Sequence, residues 1–206
     1  MTVMPRTIKF NNGHINITPL FEAYHEFSEL DIYKKEVQQY FKIIANNNPE
    51  KLINWFCNLM ISSDITLLEG GRYSGKTVFC NVIRNVYGDK NVIMFSNINV
   101  INELYTSDSI CKIDQKIVII NDFDSSRSQS REDILKLKEI FPNKSVILVS
   151  DKILNTCIGV DIDLNIFKFN QIFNNNNIHT DIYIEQKMCH WKNSFMHLIA
   201  RNISLN

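Results

Sequence analysis

Hydrophobic positions recur along this chain with two periods that take turns. From Asp31, the residues Tyr33, Val37, Tyr40, Phe41 and Ile44 form a stripe at helical spacing, with Lys34, Lys35, Gln38 and Gln39 opposite. Asn48-Pro49 then supplies an N-cap and a first-turn proline, and Leu52, Ile53, Phe56, Leu59 and Met60 follow on one face. Two helices are therefore expected before residue 61. Beyond it, short apolar runs appear: Ile65 to Leu68, Asn91 to Phe95, Ile117 to Ile120, Ser145 to Val149, and Ile166 to Phe169. Helical patterns separate them. Val78, Phe79, Val82, Ile83 and Val86 make one, ended by Gly88; Val100 to Tyr105 makes a short one. Arg131 to Phe141, with Ile134, Leu135, Leu137, Ile140 and Phe141, makes a third.

Strands without polar alternation are buried on both faces, so this alternation predicts an α/β fold with a five-stranded parallel sheet flanked by helices. A last helix is expected from Ile184 to about Ile199, with Ile184, Met188, Trp191, Phe195 and Leu198 facing the core. An oligomer contact is the alternative for that stripe. Residues 1–29 show no clear period and read as a partly ordered lead-in. The organisation expected is an N-terminal helical segment over 1–60 and one domain over 61–206 that ends in the C-terminal helix.

With 206 residues, 45% of them apolar, the chain has the length and composition of one ordinary core. The 22 Lys and Arg balance 22 Asp and Glu, so no global field attracts nucleic acid. That counts against a pure nucleic-acid-binding module but not against a motor whose basic residues line a channel. The five cysteines (Cys57, Cys80, Cys111, Cys157, Cys189) are far apart and form no C-x-x-C pair. They suit reduced thiols better than a disulfide framework or a zinc site. No apolar run reaches the roughly 18 residues of a membrane span, and Met1 to Pro5 lacks the apolar core of a signal peptide. A soluble intracellular protein is expected. The Asn-rich runs, Asn46 to Asn48 and Asn174 to Asn177, fit an AT-rich genome, the second as a loop.

Residues 65–77 carry the chemistry. Gly70, Gly75, Lys76 and Thr77 complete G-x-x-x-x-G-K-[ST], placed after an apolar strand and before a helix. Glycines let backbone N–H groups curl around a polyphosphate, and the helix N-terminus adds partial positive charge. Gly70, Gly71, Arg72, Tyr73, Ser74, Gly75, Lys76 and Thr77 are therefore the expected ATP-binding residues. Lys76 is assigned to the β- and γ-phosphates and Thr77 to Mg²⁺. Side chains at Arg72 and Tyr73 in such loops usually point outward. A site that hydrolyses also needs a carboxylate at a neighbouring strand tip, and Ile117 to Ile120 ends in Asn121-Asp122-Phe123-Asp124. Asp122 is assigned to Mg²⁺ and catalysis, with Asp124 as a second catalytic candidate; an acid there also serves as a turn residue or helix cap. Ser145 to Val149 ends in Ser150-Asp151, where a polar side chain meets the γ-phosphate in this architecture.

In order and spacing these segments resemble the superfamily 3 helicase domain of small DNA viruses, of papillomavirus and parvovirus replicative type. The residues that carry the likeness are the helix Leu52 to Met60, the loop Gly70 to Thr77, Phe95-Ser96-Asn97, Ile117 to Phe123 and Ser145 to Asp151. Phe167-Lys168-Phe169, Phe173-Asn174, Tyr183 and Trp191-Lys192-Asn193-Ser194-Phe195 extend it, so that it covers about residues 50–206. The resemblance implies an AAA+-like P-loop ATPase with ATP and Mg²⁺. It also implies a homo-oligomeric ring on single-stranded DNA, other replication proteins as partners, and location in a host nucleus (otherwise the cytoplasm). The chain departs from the family at four places. Asn121 stands where the first of two acids is usual, and Ser150-Asp151 where an asparagine is. Asp124 to Lys144 leaves little room for a DNA-gripping hairpin. Asp161-Ile162-Asp163 occupies the arginine-finger position.

Other candidates are weaker. His190 and His197 share a helix face without the partners a metal needs. Arg127 and Arg131 lie in a Ser-rich stretch that reads as a solvated loop, or as a trans-acting arginine or nucleic-acid contact. Two main readings stay open: an ATPase motor of helicase type, and a hydrolysis-deficient nucleotide-binding scaffold or regulator derived from one. A kinase-like phosphotransferase is disfavoured, because no basic lid is evident.

Overall fold

A computed structural model of the chain describes residues 7–10, 13–16, 30–45, 48–72, 74–99, 113–126, 130–152, 164–169, 187–188 and 191–201. Its elements are β1 (Thr7–Phe10), β2 (Gly13–Asn16), α1 (Leu30–Ile44), α2 (Pro49–Cys57), β3 (Ile65–Glu69), α3 (Lys76–Tyr87) and β4 (Val92–Phe95). They continue with β5 (Ile117–Ile120), α4 (Ser130–Ile140), β6 (Ser145–Ser150) and β7 (Asn165–Lys168). A final helix, α5, covers residues 191–201.

β3 to β7 form one sheet in the order β4-β5-β6-β3-β7, and every pairing is parallel. This is the α/β architecture, a five-stranded parallel sheet flanked by helices, expected from the pattern. The three central strands, β5, β6 and β3, bury both faces: alternate residues feed two separate cores. Leu68, Ile117, Ile119, Ile147 and Val149 pack with α1, α2, α3 and α5. Ile65, Leu67, Val118, Ile120, Val146 and Leu148 pack with Ile134, Leu137 and Phe141 from α4 and its end. A one-residue slip of any strand would exchange the two sets, so the register is strongly specified.

The first core is dense in aromatic rings. Phe79 of α3 is fully buried, with ring centroids of Phe169, Phe56, Phe41, Trp55 and Tyr40 between 5.5 and 6.4 Å away. Two polar ties sit among these rings. The Trp55 indole N–H donates to Thr66 Oγ1 at 2.8 Å, and the Trp191 indole N–H donates to Glu36 Oε2 at 2.7 Å. Asn48 caps α2 as expected, its Oδ1 accepting from Lys51 N–H at 3.0 Å, with Pro49 in the first turn. α1 and α2 share this core with β3 and α3.

The structure departs from expectation in several places. Residues 7–16, read as part of an aperiodic lead-in, hold an antiparallel hairpin pairing Ile8 with Ile15 and Phe10 with Gly13. Four-residue strands are too short for a periodic signal, although Asn11-Asn12 between them is a turn-forming pair. Leu135, one of the apolar residues of the 131–141 pattern, is 39% exposed. On α5 the buried positions are Trp191, Ser194, Phe195, Ile199 and Ala200, while Leu198 is only partly buried against the same core. The expected helix at Val100–Tyr105 and the residues Ile184, Phe173, Asn174 to Asn177 and Tyr183 lie outside the described residues. Cys57 and Cys80 are buried free thiols; Cys111, Cys157 and Cys189 also lie outside. Among the described residues, no helix is long and apolar enough to cross a membrane.

Candidate functional site

The parallel sheet carries the tips of β5, β6 and β3 side by side, at the carboxyl edge where ligands of open α/β sheets bind. β3 ends in Glu69, whose buried carboxylate lies 4.0 Å from the Lys168 ammonium. The next residue is fixed by its neighbours. Gly70 N–H donates to the Ser150 carbonyl at 3.2 Å. A Cβ at Gly70 would stand 2.7 Å from the Phe169 carbonyl oxygen and 2.8 Å from Ser74 Oγ, so only glycine passes here. Gly71 is exposed, and a Cβ added there would meet nothing within 4 Å. Gly75 turns the chain into α3 at φ +84°, in the left-handed region that glycine adopts freely.

The first intrahelical bond runs from Phe79 N–H to the Gly75 carbonyl at 2.9 Å. The amides of Lys76, Thr77 and Val78 therefore precede the ladder and add their dipoles at the mouth of the helix. These contacts predict contrasting outcomes for two adjacent glycines. Gly70→Ala is expected to lower stability by about 1–3 kcal/mol, the usual cost of overpacking, and Gly71→Ala to leave it nearly unchanged. Denaturant melts of the two variants check this; equal melts would mean that the Gly70 turn relaxes freely.

Lys76 begins α3 and is only 7% exposed. Its ammonium donates to the Gly70 carbonyl, to the Gly71 carbonyl at 2.9 Å and to Ser74 Oγ at 3.0 Å. Burial draws its pKa below the usual lysine value, while the Asp151 carboxylate and Cys80 act in the opposite sense. The Cys80 thiol, fully buried, is pushed up to about 12 by that burial, so it stays protonated and unreactive. Thr77 is exposed on the first turn. Arg72 is 85% exposed, with its Nε 3.9 Å from Asp151 Oδ2. Tyr73 lies outside the described residues.

At the β5 tip, Asn121 N–H donates to the Phe95 carbonyl at 2.9 Å. Its side-chain Oδ1 is buried and has no hydrogen-bond partner among the described residues. Such an orphaned acceptor is rare and calls for an explanation. Asp122 follows with φ +49°, and its side chain is exposed. Phe123 then returns to the core and donates its N–H to the Val149 carbonyl. Asp124, expected as a second catalytic acid, is engaged otherwise. Lys152 Nζ bonds its Oδ2 at 2.8 Å, and the Ser126 hydroxyl and amide donate to Oδ1 at 2.7 and 3.2 Å. Lys152, then Ser126, hold the Asp124 carboxyl well below the usual carboxylate range. An ion pair is what the geometry gives this residue in place of a free catalytic carboxylate.

Sequence reasoning missed a set of buried serines between the tips. Ser125 and Ser130, read as part of a solvated loop, are fully buried. Ser125 Oγ lies 2.9 Å from Ser150 Oγ and donates to the Lys152 carbonyl at 2.7 Å; Ser130 Oγ donates to the Asp124 carbonyl at 2.7 Å. Serine carries no burial signal of its own, and only the crossover from β5 to β6 brings these positions together. Arg131 is exposed on α4, while Arg127, Asp161 to Asp163 and His190 lie outside the described residues. Among the described residues, no three His, Cys, Asp or Glu side chains are grouped to hold a metal ion.

No family model matches the chain, and no curated protein does either. Among solved structures, the apo C-terminal region of NrS-1 (A form) superposes with a TM-score of 0.57 at 11% identity. That match covers 95% of this chain and 52% of the other, so the chain spans about half the length of the solved protein. A candidate ATPase from Cytophaga hutchinsonii ATCC 33406 aligns at 13% identity over 89% of this chain and 66% of that one, with a TM-score of 0.37. The likeness to the NrS-1 region is one of fold alone.

Proposed function

We propose that this chain binds ATP with Mg²⁺ at Gly70–Thr77 and hydrolyses it slowly, as a P-loop ATPase of the viral superfamily 3 helicase type. The observation that carries the reading is the turn built on Gly70 and Gly75, which brings the Lys76 ammonium and the unladdered amides of α3 to one mouth. The residues fit a polyphosphate there. Lys76 exchanges loop carbonyls for phosphate oxygens, an exchange of like hydrogen bonds strengthened by charge. Thr77, exposed on the first turn, would hold Mg²⁺ together with Asp122 from the β5 tip, which β6 separates from β3. When bound there, Mg²⁺ would supply neutralising positive charge. The orphaned Oδ1 of Asn121 would accept a hydrogen bond at the β5 tip, where a carboxylate would add a negative charge.

A second reading has specific support. With Asn121 neutral and Asp124 tied to Lys152, Asp122 is the one acid of this tip left to serve turnover. A nucleotide-binding scaffold or regulator with little or no hydrolysis fits that arrangement. The ring assembly, the single-stranded DNA ligand and contacts with other replication proteins belong to this proposal through the resemblance to superfamily 3. Measuring ATP turnover by the purified protein, with and without single-stranded DNA, separates the two readings. Under the first, turnover is slow, Asp122→Asn abolishes it while nucleotide still binds, and Asn121→Asp raises the rate severalfold because a second charge steadies the metal. Turnover absent from the wild type and from Asn121→Asp, with binding intact, selects the scaffold.

A further inference from the structure

A lysine ammonium has three N–H donors and no acceptor. The loop offers Lys76 three acceptors: the Gly70 carbonyl, the Gly71 carbonyl at 2.9 Å and Ser74 Oγ at 3.0 Å. The ammonium is thus saturated by its own loop, and an incoming anion gains it only as one of these partners lets go. They are not equally free to do so. Gly70 is pinned on two sides: its N–H donates to the Ser150 carbonyl at 3.2 Å, and a Cβ there would stand 2.7 Å from the Phe169 carbonyl oxygen. The Gly71 carbonyl follows on the same backbone and moves only with the peptide. Ser74 Oγ is a neutral hydroxyl that turns about a single bond. It is enclosed by the loop, at 1% exposure for the residue. Among the described residues its one hydrogen bond is the one it accepts from Lys76.

We infer that Ser74 is a positioning residue that holds the Lys76 ammonium back from the ligand, its hydroxyl being the first of the three partners given up when a polyphosphate binds. This role rests on the nucleotide-binding reading of Gly70–Thr77 and deepens it. Replacing Ser74 by alanine removes one acceptor and leaves a donor of a nearly buried ammonium unpaired, which is costly. That cost falls on the free protein alone, because a phosphate oxygen takes the vacated donor on binding. Stability of the free protein and affinity for the ligand therefore move in opposite directions.

The test is calorimetric titration of ATP–Mg²⁺ into wild type and Ser74→Ala, with urea melts of both proteins, free and nucleotide-saturated. Ser74→Ala is expected to bind about tenfold more tightly than wild type. It is expected to melt at lower urea when free and to match wild type when saturated. In a Lys76→Ala background the same change is expected to leave the free protein's midpoint unaltered, because no ammonium is then left unpaired. A serine that merely propped the loop would lower stability free and bound alike, and in both backgrounds. Affinity no tighter than that of wild type, or a stability loss that persists beside Lys76→Ala, overturns the inference and leaves the loop assignment standing. Binding of nucleotide by neither protein overturns the loop assignment, and the inference with it.

Discussion

Lys76→Ala is expected to weaken nucleotide binding at least tenfold while leaving the fold in place. The ammonium is the charge delivered to the loop mouth, and a hydrogen bond from a charged donor contributes about 1.5–3 kcal/mol. Its present partners are the Gly70 and Gly71 carbonyls and Ser74 Oγ. All three belong to the loop itself, so losing the ammonium alters the rim of the site and leaves both hydrophobic cores untouched. Titration of ATP–Mg²⁺ into the two proteins, with matched far-ultraviolet dichroism, reads out both halves of the expectation. Equal affinities would sink it, because the loop would then bind its ligand without the residue that defines it.

Phe79→Ala should be the most damaging single change in the described core, at about 3–5 kcal/mol. The ring is fully buried and meets rings from separate stretches of chain: α1 through Tyr40 and Phe41, α2 through Trp55 and Phe56, and Phe169 beyond β7. No single neighbour can move to fill the hole without abandoning another. For a domain of this size the loss corresponds to a melting point lower by about 10 °C or more. Because Phe79 lies one turn after Lys76, nucleotide affinity should fall with stability. A loss below about 1 kcal/mol would show that the site collapses easily and that the ring cluster is loosely packed.

How much of this was readable beforehand depended on the range of the interaction. The loop, its flanking strand and helix, the Asn48 cap and the wholly apolar strands are local signals, and the structure places them within a residue or two of their expected ends. Strand order is another matter. β3 pairs with β6 and β7, and nothing within Ile65–Glu69 says so; the choice is made by crossover geometry and by which apolar faces remain to be covered. The candidate site divides in the same way. Gly70 and Lys76 announce themselves by motif, but the pairing of Arg72 with Asp151 and the burial of Ser125 against Ser150 exist only once β6 lies beside β3. Asp124 shows the hazard of reading an acid from its position alone. Its partner, Lys152, comes from a different strand end, and no local pattern links the two.

The sheet order also bears on how the chain is made. β3 leaves the ribosome early, yet its two partners, β6 and β7, are translated only after β4, β5 and α4 have emerged. Until then a strand that ends up buried at every position has both backbone edges open and no partner to close them. Pairings of such long sequence separation form slowly, and exposed strand edges invite association with other chains in the meantime. The strand that leads into the Gly70–Thr77 loop is therefore among the last to be enclosed, and a nascent chain stalled before residue 145 holds that loop beside a strand with neither partner in place.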